Sequence, residues 1–146
     1  MATLANDGAR VQLHLVKSVD SYGFDQVVEE TTPTVIDQVP AAPGVFQVVR
    51  EGMIAASLPG GTSARSWTGF PYSVASKTGT PESLDNLTST YICYIPADDP
   101  QIAIAVVIED GGQGYTGAPV ARKIADQYFS RSGDAEQVTA PGQLLP

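Results

Sequence analysis

Ser76-Lys77-Thr78-Gly79-Thr80 gathers an amine and three hydroxyls around one glycine, inside a stretch that otherwise reads as an apolar strand. Gly79 removes a side chain at a place where another backbone can come close. Alone, the Lys-Thr-Gly triplet supports two readings equally: a functional site, or an edge strand guarded by its lysine. Two nucleotide-binding patterns fall away on inspection. Serine stands directly before Lys77, and Pro71 holds the glycine position six residues upstream, so the phosphate-loop spacing fails. Gly112-Gln113-Gly114-Tyr115-Thr116-Gly117 fits a dinucleotide fingerprint between a strand and a helix, but no second parallel strand follows it. Glu109 and Asp110 would also set negative charge beside a pyrophosphate, so this segment reads as a glycine-rich connection. His14 is the only histidine and Cys93 the only cysteine, which leaves neither a zinc ligand set nor an internal disulfide. No metal and no cofactor are expected.

The elements that must hold the triplet follow from periodicity and turn chemistry. Tyr72 to Thr80, Thr90 to Ile95 and Ile102 to Glu109 read as three strands. The last two are joined through Pro96-Ala97-Asp98-Asp99-Pro100, a short polar turn that favours an antiparallel hairpin. In the last strand Ile102, Ile104, Val106 and Ile108 point one way and Ala103, Ala105 and Val107 the other, so both faces are expected to be covered. The small-residue face would admit a close helix. Thr116 to Phe129 supplies one, with Ala121, Ile124, Ala125 and Tyr128 along a stripe and Pro119 in its first turn. A second helix is expected from Val45 to Ala56, stopped by Leu58-Pro59-Gly60-Gly61. Met1 to Ala5 reads as the last turn of a helix closed at Gly8. Val11 to Val16 alternates like a half-buried strand, and Gln26 to Val39 reads as an extended excursion. Ser130 to Pro146 reads as a tail.

Several stretches, in order along the chain, resemble the penicillin-binding transpeptidases. Leu4-Ala5-Asn6-Asp7-Gly8 followed by His14-Leu15-Val16-Lys17 is similar to their Leu-Ala-Asn-Gly-Gly and Pro-His-Leu-Val-Lys stretch, with Leu13 where proline is usual. Arg50-Glu51-Gly52-Met53 resembles the helix before their active-site strand, and Gly61-Thr62-Ser63-Ala64 resembles their Gly-Thr-Ala turn. Ser76-Lys77-Thr78-Gly79-Thr80-Pro81-Glu82 looks like Gly-Lys-Thr-Gly-Thr-Ala-Glu, and Gly117-Ala118-Pro119-Val120 resembles the start of their final helix. Lys-Thr-Gly is the third signature of the serine enzymes that recognise penicillin, beside Ser-x-x-Lys and Ser-x-Asn. Neither of those occurs here. The residues three before Lys17, Lys77 and Lys123 are His14, Val74 and Val120, and those two before Asn6 and Asn86 are Leu4 and Leu84.

The resemblance implies an α+β fold, an antiparallel sheet flanked by helices, of the beta-lactamase/transpeptidase-like kind. It implies that residues 1–130 are the C-terminal part of a class B transpeptidase domain and 131–146 a flexible tail. The nucleophilic serine would then lie in a missing N-terminal half. Carried over residue by residue, Lys77 would tune the field and protonation near that serine, and Thr78 and Thr80 would hydrogen-bond the substrate's carboxylate. Gly79 would leave room for the acyl chain, and the Thr80 N–H would be one of two oxyanion donors. The implied ligands are the peptidoglycan stem peptide and beta-lactams, bound along the edge strand as an added strand. The implied location is the extracytoplasmic face of a bacterial cytoplasmic membrane. A non-catalytic binding or interaction module using the same edge is the alternative.

Composition narrows the remaining classes. With 146 residues, 42% of them hydrophobic, the chain is one domain with material for a core. Its net charge of -8 and its lack of basic runs give nucleic acid no electrostatic foothold. The longest apolar run, Ile102 to Ile108, falls far short of the roughly 20 residues that span a bilayer, and no signal pattern follows Met1. Without strands from the missing half, Ile102 to Ile108 would be an open apolar edge, expected to be covered by a partner or by self-association.

Overall fold

Alternating β-branched and aromatic residues in the second half of the chain build the central layer. The computed structural model describes residues 1–83 and 86–133. In chain order the elements are α1 (Ala2–Ala5), β1 (Ala9–Val11), β2 (Ser18–Asp20), β3 (Val27–Glu30), β4 (Val35–Gln38), α2 (Val45–Ala55) and α3 (Ala64–Trp67). They continue with β5 (Ala75–Gly79), β6 (Glu82–Ser83), β7 (Asn86–Leu87), β8 (Ser89–Ile95), β9 (Ile102–Ile108), a 3-10 turn (Gly114–Gly117) and α4 (Ala118–Gly133). Strands β5, β8 and β9 form an antiparallel sheet in that order, with β8 central and β5 and β9 at the edges. The three strands and the hairpin expected from the sequence are therefore present.

Pleating sends alternate residues to opposite faces. On one face Tyr91, Cys93, Ile95, Ile104 and Val106 are buried under α4 and Trp67. Helix α4 comes close because its own inward residues are small: Ala118, Ala121 and Ala125 are fully buried. This corrects the expected packing. The helix covers the large-residue face of β9, while Ala103, Ala105 and Val107 stay exposed on the other. The buried stripe of α4 is likewise Ala118, Ala121 and Ala125 with Phe129 packed against them, whereas Ile124 and Tyr128 lie outside it and are about two-fifths exposed. The opposite face of the sheet is covered at one end only, where Met53 of α2 and Leu4 and Ala5 of α1 pack on Ala75 and Tyr94.

Helix α4 runs to Gly133, past the point where the sequence reads as a tail. Ser130 accommodates this by donating its hydroxyl to the Gln127 carbonyl one turn back. Residues 134–146 of the expected tail lie outside the described residues.

Residues 9–39 form a long two-stranded arm. Strand β1 pairs with β4 and β2 with β3, all antiparallel, and Gln12 N–H to Thr34 O and Thr31 N–H to Lys17 O bridge the two pairs. The excursion from Gln26 to Val39 is thus two strands. The alternation from Val11 to Val16 does not mark a half-buried strand, because β1 ends at Val11 and Leu13 and Leu15 are wholly exposed. Two strands with no layer beneath them have no interior into which an apolar face can turn.

Candidate functional site

The Lys-Thr-Gly triplet occupies the C-terminal half of β5, an edge strand, paired with β8 through Lys77↔Ile92, Thr78↔Tyr91 and Gly79↔Thr90. The pleat divides its side chains. Lys77 stands on the face that α1 and α2 leave uncovered; it is exposed, and its ammonium donates to the Thr78 carbonyl. None of the ion pairs among the described residues involves it. Thr78 stands on the other face, where its hydroxyl donates to the Thr62 hydroxyl at 3.5 Å. Thr80 follows the strand directly, and its Oγ1 accepts the Gly114 N–H at 2.9 Å. A hydroxyl that accepts still holds its own proton for donation.

Two glycines make this edge possible. A Cβ at Gly114 would lie 2.3 Å from the Gly79 carbonyl oxygen and 2.7 Å from its nitrogen, so the 3-10 turn rests directly on the backbone of the triplet. The close backbone approach expected at Gly79 is therefore supplied by Gly114, from the segment whose glycines mimic a dinucleotide fingerprint. A Cβ at Gly79 itself would meet Thr90 Oγ1 at 2.3 Å, so packing within the sheet already requires glycine there.

Behind the triplet lies a buried chain of hydroxyls. Ser76 Oγ is 2.7 Å from Ser57 Oγ and 2.9 Å from Ser63 Oγ. Ser63 donates to the Ala56 carbonyl at 3.0 Å, Tyr91 donates to Ser63 at 3.3 Å, and Trp67 Nε1 donates to the Tyr91 hydroxyl at 2.7 Å. Burial pushes the Tyr91 phenol above its ordinary value, so it remains a neutral donor. The network ties the turn through Gly61 to Ser63 against β5, and this tie sets Thr62 beside Thr78. Gly61 makes the turn tight enough, since a Cβ there would fall 2.3 Å from the Ala55 carbonyl oxygen.

Sequence reasoning named Lys77, Thr78, Gly79 and Thr80, and all four line one edge. It gave no role to Thr62, although the Gly-Thr-Ser turn was recognised, and none to Ser57, Ser63 or Ser76. Chemically the edge offers one ammonium, the hydroxyls of Thr62, Thr78 and Thr80, and strand backbone. That set can hold a carboxylate and an extended peptide. No serine of the chain stands three residues before a lysine. Cys93 is no substitute nucleophile, because burial pushes its thiol up to about 12.

Residues 1–130 match the family model for the penicillin binding protein transpeptidase domain. Penicillin-binding protein 2A of Bacillus subtilis is 32% identical over 88% of this chain and 21% of its own length. The peptidoglycan D,D-transpeptidase MrdA of Salmonella typhimurium is 30% identical over 94% of this chain and 25% of its own length. Among solved structures, the D,D-transpeptidase domain of a peptidoglycan glycosyltransferase from Eggerthella lenta superposes with a TM-score of 0.75 at 30% identity, covering 90% of this chain and 30% of that one. Penicillin-binding protein A from M. tuberculosis, in an imipenem acyl-enzyme complex, superposes with a TM-score of 0.71 at 26% identity, over 88% of this chain and 28% of that one. The sheet and its helices are those of the beta-lactamase/transpeptidase fold. The chain spans a fifth to a quarter of the curated relatives it matches.

Proposed function

The chain belongs to the penicillin-binding protein transpeptidase domain family, of the class B type, and from this we propose that it forms the substrate-holding wall of a peptidoglycan D,D-transpeptidase. The observation that carries the reading is the exposed Lys-Thr-Gly edge, with Thr62 and Thr80 drawn to it, in a chain that lacks Ser-x-x-Lys. The nucleophilic serine, its lysine base and the serine's own N–H then come from sequence outside residues 1–146. They face Lys77 across the uncovered side of the sheet.

In this reading a stem peptide or a beta-lactam lies along β5 as an added strand. Thr80 and Thr62 donate hydroxyl protons to its carboxylate, and Thr78 joins them by turning its own proton from Thr62 to the ligand, which orients the scissile carbonyl. Lys77 places positive charge where acyl transfer develops negative charge and where a proton must move between serine and leaving group. The Thr80 N–H and the nucleophile's N–H share the oxyanion, and Gly79 keeps the backbone approachable. The relatives' names favour this enzymatic reading over a non-catalytic module. Peptidoglycan as the proposed substrate supports a site on the extracytoplasmic side of a bacterial membrane; among the described residues no helix is long and apolar enough to cross one.

Substitution in the protein that carries this chain tests the assignment. Lys77→Ala should slow acylation by a fluorescent penicillin about a hundredfold or more. Lys123→Ala, on the exposed side of α4, should leave the rate within about twofold, because it touches nothing at the edge. Equal, small effects of the two would remove Lys77 from the site.

A further inference from the structure

A cleft of about 510 Å³ opens beside the triplet edge, between the Gly61–Ser66 segment and the turn that leads into α4. Thr62, Arg65 and Ser66 form one wall, and Tyr115 and Thr116 the other. Both walls are tied to the edge: Thr62 accepts from Thr78, and Tyr115 follows Gly114, whose N–H binds Thr80. The cleft is therefore continuous with the threonine hydroxyls, and it has the capacity of a pocket for a whole small ligand. One small leaving residue, held by those threonines, does not fill it.

Its lining suits an amine that must react. Among the described residues around it there is no carboxylate, and its titratable groups are Arg65 and Tyr115. Arg10, Arg50 and Arg122 are each ion-paired with an aspartate, but none of the ion pairs among the described residues involves the exposed Arg65. Arg122 reaches the Ser66 carbonyl from α4 at 3.0 Å, with its charge already met by Asp126. A cation without neighbouring carboxylates disfavours an ammonium and favours the neutral amine, whose lone pair is the nucleophile. The hydroxyls of Thr62, Ser66 and Thr116 can accept its N–H bonds, and Tyr115, 55% exposed, offers a ring to the apolar stem beside it.

We propose that this cleft receives the acyl acceptor, a peptide amine, and that Arg65 and Tyr115 hold that amine in its neutral, attacking form. The proposal rests on the reading of the triplet edge as the acyl donor's wall. A transpeptidase exchanges one amine for another at a single carbonyl, so the incoming amine attacks along the path by which the leaving amine departs. That path starts at the threonines that hold the donor's leaving end and continues into the cleft. In the step itself the amine nitrogen bonds to the acyl carbon, the ester bond to the serine oxygen breaks, and one amine proton passes to that oxygen. The products are the new amide and the free serine.

The test uses the protein that carries this chain together with its nucleophile, a D-alanyl thioester as donor, and D-alanine or D-alanine amide as acceptor. Chromatography separates the amide product from the hydrolysis product, so their ratio reads capture by the acceptor apart from acylation. Tyr115→Ala should lower that ratio about tenfold, with a much smaller effect on the acylation rate. Arg65→Gln should raise the pH at which aminolysis is half-maximal by about half a pH unit or more, and Arg65→Lys should restore it. Both amines should behave alike, since the cleft acts on the amine and not on a carboxylate. Hydrolysis alone in the unsubstituted protein with both amines, a ratio unmoved by Tyr115→Ala, or a pH profile unmoved by Arg65→Gln would overturn the proposal. So would equal losses of acylation and aminolysis. Lys77→Ala reports separately on the wall: it should slow acylation, and indifference there would reject the site reading itself rather than the cleft.

Discussion

Lys77, Thr78 and Thr80 could be picked from the sequence because their types are contiguous and match one signature. Their helpers are scattered over residues 57 to 91 and meet only through folding: Thr62 and Ser63 sit in the recognisable Gly-Thr-Ser turn and Ser76 directly precedes the triplet, but no local pattern gives them or Ser57 a role at the edge. Ser76 stands where the resembled signature has glycine, and its hydroxyl is satisfied from two sides by Ser57 and Ser63. Cys93, one strand away, gives a test of how dry this interior is. Its thiol is pushed from 9.0 to about 12 by burial, so the folded state holds the proton while the unfolded state releases it. Stability should therefore be unaffected below pH 9 and decline between pH 9 and about 12, as unfolding becomes coupled to ionisation. At pH 8 a maleimide should modify Cys93 only as fast as the chain opens, and rapid stoichiometric labelling of folded protein would contradict the packing.

Strands β5, β8 and β9 were legible because β-branched and aromatic residues alternate between turn signals, and α2 because apolar residues recur at helical spacing and stop at Pro59-Gly60-Gly61. Pairing of layers was not legible. Small residues occur both on α4 and on one face of β9, and the sequence does not say which set makes the close contact; the helix used its own alanines and left those of β9 exposed. The glycine-rich segment before α4 shows the same limit, since Gly114 serves close contact with β5 and Gly117 close contact with β8 and β9. Gly114→Ala should distort the edge, because backbone of Gly79 occupies the added methyl's place and neither side can yield a rotamer. It should lower the melting temperature and cut penicillin acylation together. Gly52→Ala, with nothing within 4 Å of the added methyl in the middle of α2, should instead stabilise by about 0.5–1 kcal/mol. Thermal melts of the two variants that shift alike would refute the contact between Gly114 and the triplet.

Across the whole molecule, apolar surface is left where a layer would be expected. Ala103, Ala105 and Val107 are exposed on β9, β9 itself is a sheet edge, and the arm from residue 9 to 39 exposes Leu13, Leu15, Tyr22, Phe24 and Val28. In the proposed function these surfaces meet the part of the domain that brings the nucleophile. For the 146-residue chain alone, the β9 edge should find another copy, giving concentration-dependent association by light scattering and slow exchange of the amides from Ile102 to Ile108. A monodisperse monomer with freely exchanging amides there would show that the edge needs no partner.

The central claim divides labour: residues 1–146 hold the ligand, and a serine elsewhere is acylated. Locating the penicilloyl ester by mass spectrometry, in the protein that carries this chain, tests it most directly. The account predicts one acylated serine, followed three residues later by lysine, outside residues 1–146, and no label on the 146-residue chain incubated alone. A penicilloyl ester on any serine within residues 1–146 would contradict it.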